Sequence, residues 1–173
     1  MTSMQIQKTK DQQLEVKTKN ALIIFDGKIT INTVELEGSG DYEVADVIVE
    51  GVDDYIYIFK LEDMVVGSVN FRGEISKENV NKLSSADLLI VSLNGHASKA
   101  IDQINNIETN ATIYIGASES RDILKKNGIT AEEIENLKFT KADFTGDQKT
   151  YFIETNPHTL SWLFLSPLLY DAC

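Results

Sequence analysis

Residues 37–52 read Glu37-Gly38-Ser39-Gly40-Asp41-Tyr42-Glu43-Val44-Ala45-Asp46-Val47-Ile48-Val49-Glu50-Gly51-Val52. Glycine and small polar side chains open this stretch, a composition that is typical of a tight turn. A largely apolar run follows over residues 44–49, and its β-branched side chains predict a strand. The stretch therefore indicates a turn that leads into a β-sheet.

The flanking segments extend this sheet in both directions. Residues 14–16 and 21–25 are apolar runs joined through Thr18-Lys19-Asn20, and they predict an opening hairpin. Further strands are predicted over residues 29–36, 55–59 and 64–66. The first half of the chain is thus expected to be a series of strands.

After Phe71 the pattern changes to strands that alternate with helices. Ser76 is suited to cap a helix that ends at Leu83, and Ser118 to cap another through Asn127. Thr130-Ala131-Glu132-Glu133 has the form of a capping box and predicts the start of a further helix. A helix is also expected over residues 97–107, and strands over residues 86–91, 111–115, 137–140 and 150–153. This order indicates a layered α/β or α+β domain.

Residues 37–52 resemble the Gly-Pro-Gly-Glu-Tyr-Glu-Val segment of metallo-β-lactamase-fold hydrolases, in the branch similar to L-ascorbate-6-phosphate lactonase. The similarity continues in register through residues 56–67, 75–90 and 137–144, within a match over residues 20–155. The resemblance implies an α/β (α+β) fold, a metallo-β-lactamase-like sandwich of two mixed β-sheets with helices on both outer faces.

The resemblance also implies a metal centre, but this chain departs from the family at each liganding position. In that family, His and Asp side chains hold one or two metal ions, which activate a bound water and polarise the substrate. The family's His-x-His-x-Asp-His motif should lie between Asp26 and Glu37, where this chain has no histidine. The bridging aspartate aligns with Asn70, and the last histidine aligns with Ala117. We therefore expect a domain that is truncated in the metal-binding region and holds neither a metal nor another cofactor.

Four residues mark the expected relic of that cleft: Asp26, Asn70, His96 and Ala117. His96 falls where the family has a glycine-rich loop, so it either retains a ligand-binding role or is an exposed loop histidine. His158 leaves the same two alternatives open. No residue is predicted to be catalytic, because these side chains supply neither an evident nucleophile nor a base with an orienting partner.

Charge and composition exclude some partners. The 173 residues carry a formal net charge of −11, whereas a nucleic-acid surface needs an excess of Lys and Arg. Residues 31–70 alone carry a net charge of −9, which fits either a surface for a cation or basic partner or the solvated face of strands. The single cysteine, Cys173, excludes an internal disulfide.

Neither export nor a membrane span is indicated. Residues 1–10 contain no apolar run of signal-peptide length. The longest apolar stretch, residues 160–170, is shorter than the roughly 20 residues that cross a bilayer. We expect a cytoplasmic protein.

The chain is expected to divide into a domain of residues 1–155 and an apolar extension of residues 156–173. Eight of the eleven residues 160–170 are apolar or aromatic, and an exposed patch of that kind favours aggregation or association. Burial, on the domain itself or in an interface with another chain, is predicted for Trp162, Phe164, Leu165, Leu168 and Leu169.

These patterns favour a non-catalytic protein of metallo-β-lactamase fold that acts by protein binding or assembly, as a homo-oligomer or a subunit of a complex. One alternative is a hydrolase of the same superfamily with a site rebuilt around Asp26, Asn70 and His96. Another is a sensor that binds a small ligand in the emptied cleft, and the ligand of such a sensor is unknown.

Overall fold

Two β-sheets and three α-helices form the part of the protein that the computed structural model describes, residues 3–155. The strands are β1 (Ser3–Lys8), β2 (Leu14–Lys17), β3 (Leu22–Asp26), β4 (Lys28–Ile31), β5 (Val34–Leu36), β6 (Gly40–Val44), β7 (Val47–Asp53), β8 (Ile56–Leu61), β9 (Met64–Asn70), β10 (Leu88–Ser92), β11 (Ala111–Gly116), β12 (Glu132–Glu133), β13 (Asn136–Thr140) and β14 (Lys149–Glu154). The helices are α1 (Lys77–Leu83), α2 (Ala97–Ile104) and α3 (Ser118–Lys126), with a short 3-10 helix at Lys141–Phe144.

Sheet A contains six strands in the order β13-β1-β2-β3-β4-β5. Every neighbouring pair in it is antiparallel, so the expectation of a mixed sheet is wrong here. For β1 through β5 the reason is that short turns join these strands, and a turn of a few residues can connect only antiparallel strands.

Sheet B contains eight strands in the order β12-β14-β11-β10-β9-β8-β7-β6 and is mixed, as expected. Strands β6 to β9 form an antiparallel meander, whereas β9, β10, β11, β14 and β12 run parallel. The connections after β9, β10 and β11 contain α1, α2 and α3 respectively, because parallel neighbours require a crossover.

The hydrophobic core has two layers on either side of sheet B. Met4 and Ile6 of sheet A pack with Val49 and Phe59 of sheet B between the sheets. On the other face of sheet B, all three described helices bury apolar side chains against the strands. The resemblance implied helices on both outer faces, but the outer face of sheet A carries polar side chains that pair with each other, as in the 2.9 Å hydrogen bond from Gln7 Nε2 to Glu15 Oε1.

Two segments that were predicted as single strands are hairpins. Residues 29–36 turn at Asn32, whose φ is +55°, and residues 44–49 turn at Ala45 and Asp46, whose φ values are +51° and +64°. In the second turn φ is positive at both central residues, which is the geometry of a two-residue hairpin turn that matches the twist of the strands. Apolar runs cannot reveal such a turn when the turn residue is alanine.

Three helices were predicted at the correct places and one was not. Ser76 caps α1 as predicted, with its hydroxyl accepting a 3.2 Å bond from the Asn79 N–H. Helix α3 starts one residue earlier than expected, with Ala117 at the cap position. The capping-box pattern at residues 130–133 does not start a helix, because Glu132 and Glu133 pair with β14 as strand β12. None of the helices within residues 3–155 has the length and hydropathy needed to span a membrane.

Candidate functional site

A cleft of about 1180 Å³ opens between the two sheets at one end of the sandwich. Strands β9, β10 and β11 run parallel and end beside it, and β14 also ends there. Residues from β3 and β4 of sheet A line the opposite side. Because the carboxyl ends of parallel strands meet at one edge of a sheet, the segments that follow them bring their side chains together at this cleft.

Much of the cleft wall is apolar. The inter-sheet core continues into it, so the cleft is lined by Leu14, Phe25, Ile29, Leu36, Ile90 and Ile115. Polar groups lie among these side chains at the strand ends. A concave apolar surface with a few polar groups is the usual form of a small-molecule site.

All four sequence-predicted cleft residues line this one cleft: Asp26, Asn70, His96 and Ala117. Asp26 ends β3 and Asn70 ends β9. His96 and Ala117 are the residues before the first turns of α2 and α3. The fold thus brings these residues to one surface, and their roles stay predictions.

Amide groups occupy the edge where the resemblance expects a bridging carboxylate. The side chain of Asn94 donates a hydrogen bond to the side-chain oxygen of Asn70. It also donates a 3.1 Å bond to the Phe71 carbonyl. Asn94 has a φ of +49°, a conformation that asparagine tolerates better than most residues. The pair is neutral, so it fixes the loop after β10 without contributing charge.

His96 lies beside Phe71, with the two rings edge-to-face at 6.2 Å between centroids. The His96 backbone N–H donates to the Leu93 carbonyl at 2.9 Å, which holds the turn into α2. Its side chain makes no capping bond to that helix. The aromatic contact and the turn bond account for the position of His96 without a catalytic role.

Charged side chains of both signs border the cleft. Arg72 stacks on the Tyr55 ring at 4.5 Å from the guanidinium carbon to the ring centroid, and within residues 3–155 it forms no ion pair. Lys28, in contrast, pairs with Glu35 at 3.1 Å. The acidic lining residues are Asp26, Asp54 and Glu119, and Asp26 accepts a 2.8 Å bond from Gln13 Nε2.

The glycine-rich segment of residues 37–52 supports one wall. The Tyr42 hydroxyl donates to the carbonyls of Glu37 and Gly38, the latter at 3.0 Å. A Cβ on Gly51 would lie 2.7 Å from the Gly38 carbonyl oxygen, so this close approach requires glycine. Gly38 itself lines the cleft, and the segment therefore shapes the site through backbone contacts.

Several acids of the negative stretch at residues 31–70 have local partners. Asp46 accepts a 2.9 Å bond from Asn20 Nδ2, Glu50 pairs with Lys82 at 3.6 Å, and Asp53 accepts from Asn79 Nδ2 at 3.2 Å. These contacts favour the solvated-face interpretation over a dedicated cation site.

Tyr57 contributes a buried phenol to the cleft. Burial raises its pKa, and Tyr42, Asp54 and Asp53 act in the same direction, while a backbone hydrogen bond with Gly38 lowers it. The group is therefore a neutral hydroxyl at physiological pH.

Sequence reasoning missed two buried serines in the cleft. Ser68 and Ser120 are each 5% exposed, both line the cleft, and neither hydroxyl has a hydrogen-bond partner among residues 3–155. Ser68 follows Met64 and Val66 at the two-residue period of β9, and this alternation places it on the inter-sheet face. Ser120 lies in the first turn of α3, where helical spacing from Leu124 could have identified its buried face.

The donor set of the cleft does not fit the metal centre that the fold family implies. Among the residues that the structure describes, no three His, Cys, Asp or Glu side chains form a group that could hold a metal ion. The Asn70–Asn94 pair offers amides rather than carboxylates, and Ala117 offers no donor at all. Zinc sites in proteins use three or four N, S or carboxylate ligands.

Comparison with solved structures supports the architecture. A Thermotoga maritima protein assigned to the Zn-dependent hydrolases of the metallo-β-lactamase superfamily superposes with a TM-score of 0.61. The alignment covers 88% of this chain and 100% of that one, at 14% sequence identity. The chain has a metallo-β-lactamase fold.

The comparisons with family profiles and with curated sequences do not identify a family. No protein-family profile matches the chain, and no curated protein sequence matches it. The metallo-β-lactamase-like fold expected from residues 37–52 is confirmed, and the short β4–β5 hairpin between Asp26 and Glu37 is consistent with truncation there. The lactonase branch and the missing ligands stay predictions. His158 and the predicted interface residues Trp162, Phe164, Leu165, Leu168 and Leu169 lie outside the described residues.

Proposed function

We propose that this chain is a metal-free, non-hydrolytic protein of metallo-β-lactamase fold that acts by binding another protein or a second copy of itself. One observation carries the proposal: an amide pair and an alanine lie at the cleft edge where the resemblance leads us to expect ionisable donors. Without a metal, the cleft lacks the ion that activates the attacking water in hydrolases of this fold.

The apolar extension supports the protein-binding part of the proposal. Within residues 3–155, the large apolar side chains that stand exposed are only Val34, Ile48 and Tyr55. The described domain therefore offers little apolar surface for association. Residues 156–173 follow Thr155, and their composition makes them the better candidate for contact with a partner.

A rebuilt hydrolase remains the second candidate, because Asp26, Asn70 and His96 line one cleft of substrate size. Their hydrogen bonds argue against it. Asp26 accepts a bond from Gln13 and Asn70 accepts one from Asn94. Among residues 3–155, no hydrogen bond joins Asp26, Asn70 or His96 to a hydroxyl that could act as a nucleophile.

Elemental analysis of the purified full chain tests the proposal. We expect less than 0.1 equivalent of zinc, manganese or iron, on the order of background for a protein without a site, both as purified and after incubation with Zn²⁺ and desalting. Assays with lactone, phosphodiester and β-lactam substrates should show no turnover above buffer. One equivalent of tightly bound metal, or turnover abolished by a chelator, would show that the chain is a hydrolase.

A further inference from the structure

We propose that the cleft binds a small organic acid, with its oxyanion at the N-termini of α2 and α3 and its apolar body between the sheets. The inference rests on the proposed function in one respect, which is that no metal occupies the cleft. It goes further in naming the ligand chemistry and the residues that recognise it.

Two helix N-termini converge on the cleft without side-chain caps. Gly95 and His96 line it at the start of α2, and Ala117 and Glu119 line it at the start of α3. Neither cap residue supplies a side-chain acceptor. In α3 the Ser120 N–H donates to the Ala117 carbonyl at 3.0 Å, but the earlier first-turn N–H groups of α3 and those of α2 have no side-chain cap. Such N–H groups, together with the helix dipole, favour an anion.

The buried serines provide an independent indication of a ligand. The hydroxyls of Ser68 and Ser120 have no hydrogen-bond partner among the described residues, although both residues are 95% removed from solvent. Because no fully buried side-chain polar atom of the described residues lacks a partner, these two hydroxyls must face the space of the cleft, where a ligand can reach them. Ser120 also lies against the backbone at the end of β11, since its oxygen is 3.1 Å from the position of a Cβ on Gly116. A bound oxyanion would accept the hydrogen bonds that these two serines can donate.

Arg72 supplies the positive charge. It lines the cleft, is held over Tyr55 by the cation–π contact and has no acidic partner within residues 3–155. The carboxylates that line the cleft are solvent-exposed, and Asp26 is already engaged by Gln13. Arginine suits carboxylate and phosphate oxygens because its planar group donates two parallel hydrogen bonds.

The apolar walls of the cleft indicate that the part of the ligand beyond the oxyanion is apolar. Phe25, Ile29, Leu36 and Ile115 offer carbon surface beyond the polar strand ends. A bare inorganic anion would leave this surface in contact with water, whereas an acid with an aliphatic or aromatic body would bury it. The volume of about 1180 Å³ accommodates a ligand of that size.

Calorimetric titration of the chelator-treated full chain tests the inference with three probes: octanoate, octan-1-ol and inorganic phosphate. Octanoate should bind one per chain and about tenfold more tightly than octan-1-ol, the increment typical of hydrogen bonds to a charged group. It should also bind more tightly than phosphate, which lacks the apolar body.

Matched variants separate recognition from folding. Arg72→Gln should weaken octanoate binding about tenfold and leave octan-1-ol unchanged. Arg121→Gln removes the same charge from α3, where Arg121 pairs with Glu133 at 2.6 Å, and should leave octanoate binding unchanged. Ser68→Ala combined with Ser120→Ala should weaken octanoate binding about fivefold, because it removes two donors to the oxyanion, and should leave octan-1-ol binding and the unfolding temperature of the free protein nearly unchanged. A purely structural role for the serines would instead lower the unfolding temperature and weaken the binding of both probes.

Three results would overturn the inference: equal affinity for octanoate and octan-1-ol, equal losses in the two arginine variants, or no octanoate binding at all. A different result would contradict the proposed function as well. If octanoate binds only after Zn²⁺ is restored, the cleft holds a metal, and both proposals are then wrong.

Discussion

Single side chains determine the charge at this edge of the cleft, and Asn70 is the clearest example. An aspartate at the end of β9 would carry charge toward the space between the sheets. The amide instead accepts from Asn94 and closes a neutral contact between two loops. The sequence indicated the position of this change through the resemblance, but not the partner, because Asn94 becomes adjacent only when β9 and β10 pair in parallel.

Asp87 shows a residue whose importance only the structure reveals. Its carboxylate accepts a 2.9 Å bond from the Val65 N–H and another from Lys141 Nζ. It thereby ties the start of β10 to β9 and to the 3-10 helix at Lys141–Phe144. Lys141 is distant in sequence, so neither spacing nor periodicity could have predicted the ion pair.

Tyr114 leads to a prediction about alkaline stability. Burial raises its pKa to about 12, and the residue is 3% exposed beneath the helices. In the unfolded chain the phenol titrates near 10, so between pH 10 and 12 the unfolded state loses its proton first and folding weakens as pH rises. The loss attributable to Tyr114 should reach about 2 kcal/mol at pH 12.

Urea unfolding at pH 9 and pH 11.5 measures this effect. Tyr114→Phe should lose clearly less stability over that interval than the unmodified chain. The control is Tyr55→Phe, at an exposed position, which should lose as much as the unmodified chain. Identical losses in all three proteins would show that Tyr114 does not couple ionisation to folding.

At the level of elements, local sequence patterns predicted a helix or strand correctly where the tertiary contacts favour the same structure. The Ser76 cap and its hydrogen bond to Asn79 start α1 as predicted. The capping-box pattern at residues 130–133 failed because strand pairing overrode it: the Ile134 N–H donates to the Phe152 carbonyl at 3.0 Å. Strand β1 was not predicted, although the fully buried Met4 and Ile6 alternate with polar residues along it. A short terminal strand becomes evident only with its partners, β2 and β13.

Close approaches at two glycines give a prediction at this scale. A Cβ on Gly51 would meet backbone, 2.7 Å from the Gly38 oxygen. A Cβ on Gly67 would meet side chains, 2.9 Å from Leu83 Cδ2 and 3.1 Å from Leu89 Cδ1. Side-chain ends can shift and backbone cannot do so without moving the strand. Gly51→Ala should therefore cost about 3 kcal/mol, and Gly67→Ala about 1 kcal/mol.

Urea midpoints of the two variants at neutral pH provide the measurement, and each serves as the control for the other. Both substitutions add one methyl group within sheet B, so helix or strand propensity does not separate them. A larger cost for Gly67→Ala would contradict the argument and indicate that α1 packs too rigidly on β9 to move.

Residues 3–155 form a sandwich in which only Val34, Ile48 and Tyr55 stand exposed among the large apolar side chains. The burial of the other large apolar side chains was partly predictable, because the alternation along strands and the amphipathic pattern of helices show which faces belong to the core. It was not predictable that all three described helices would cover sheet B alone. The placement follows from crossover connections between parallel strands, and sheet A has no such connections.

Removal of residues 156–173 tests how the extension relates to this sandwich. The truncated chain should end at Thr155, because the Thr155 N–H donates to the Gly116 carbonyl at 2.9 Å and completes the edge of β14. We expect the truncated protein to change oligomeric state or to lose stability, since burial of each large apolar side chain contributes about 1.5–3 kcal/mol. Light scattering after size exclusion and urea unfolding distinguish these two results. A lower oligomer with unchanged stability per chain would assign Trp162, Phe164, Leu165, Leu168 and Leu169 to an interface between chains.

Two full-length double variants show which residues of the extension cause the change in oligomeric state or stability. Trp162→Ser combined with Phe164→Ser should reproduce most of the effect of the truncation, because it removes the two largest apolar surfaces of the segment. Thr159→Asn combined with Ser161→Asn changes polar positions of the same segment and should behave like the unmodified chain. If the truncated protein and both double variants match the unmodified chain in mass, solubility and urea midpoint, the extension makes no stabilising contact. The proposed mode of action through residues 156–173 would then be wrong, while the cleft and its ligand chemistry would be unaffected.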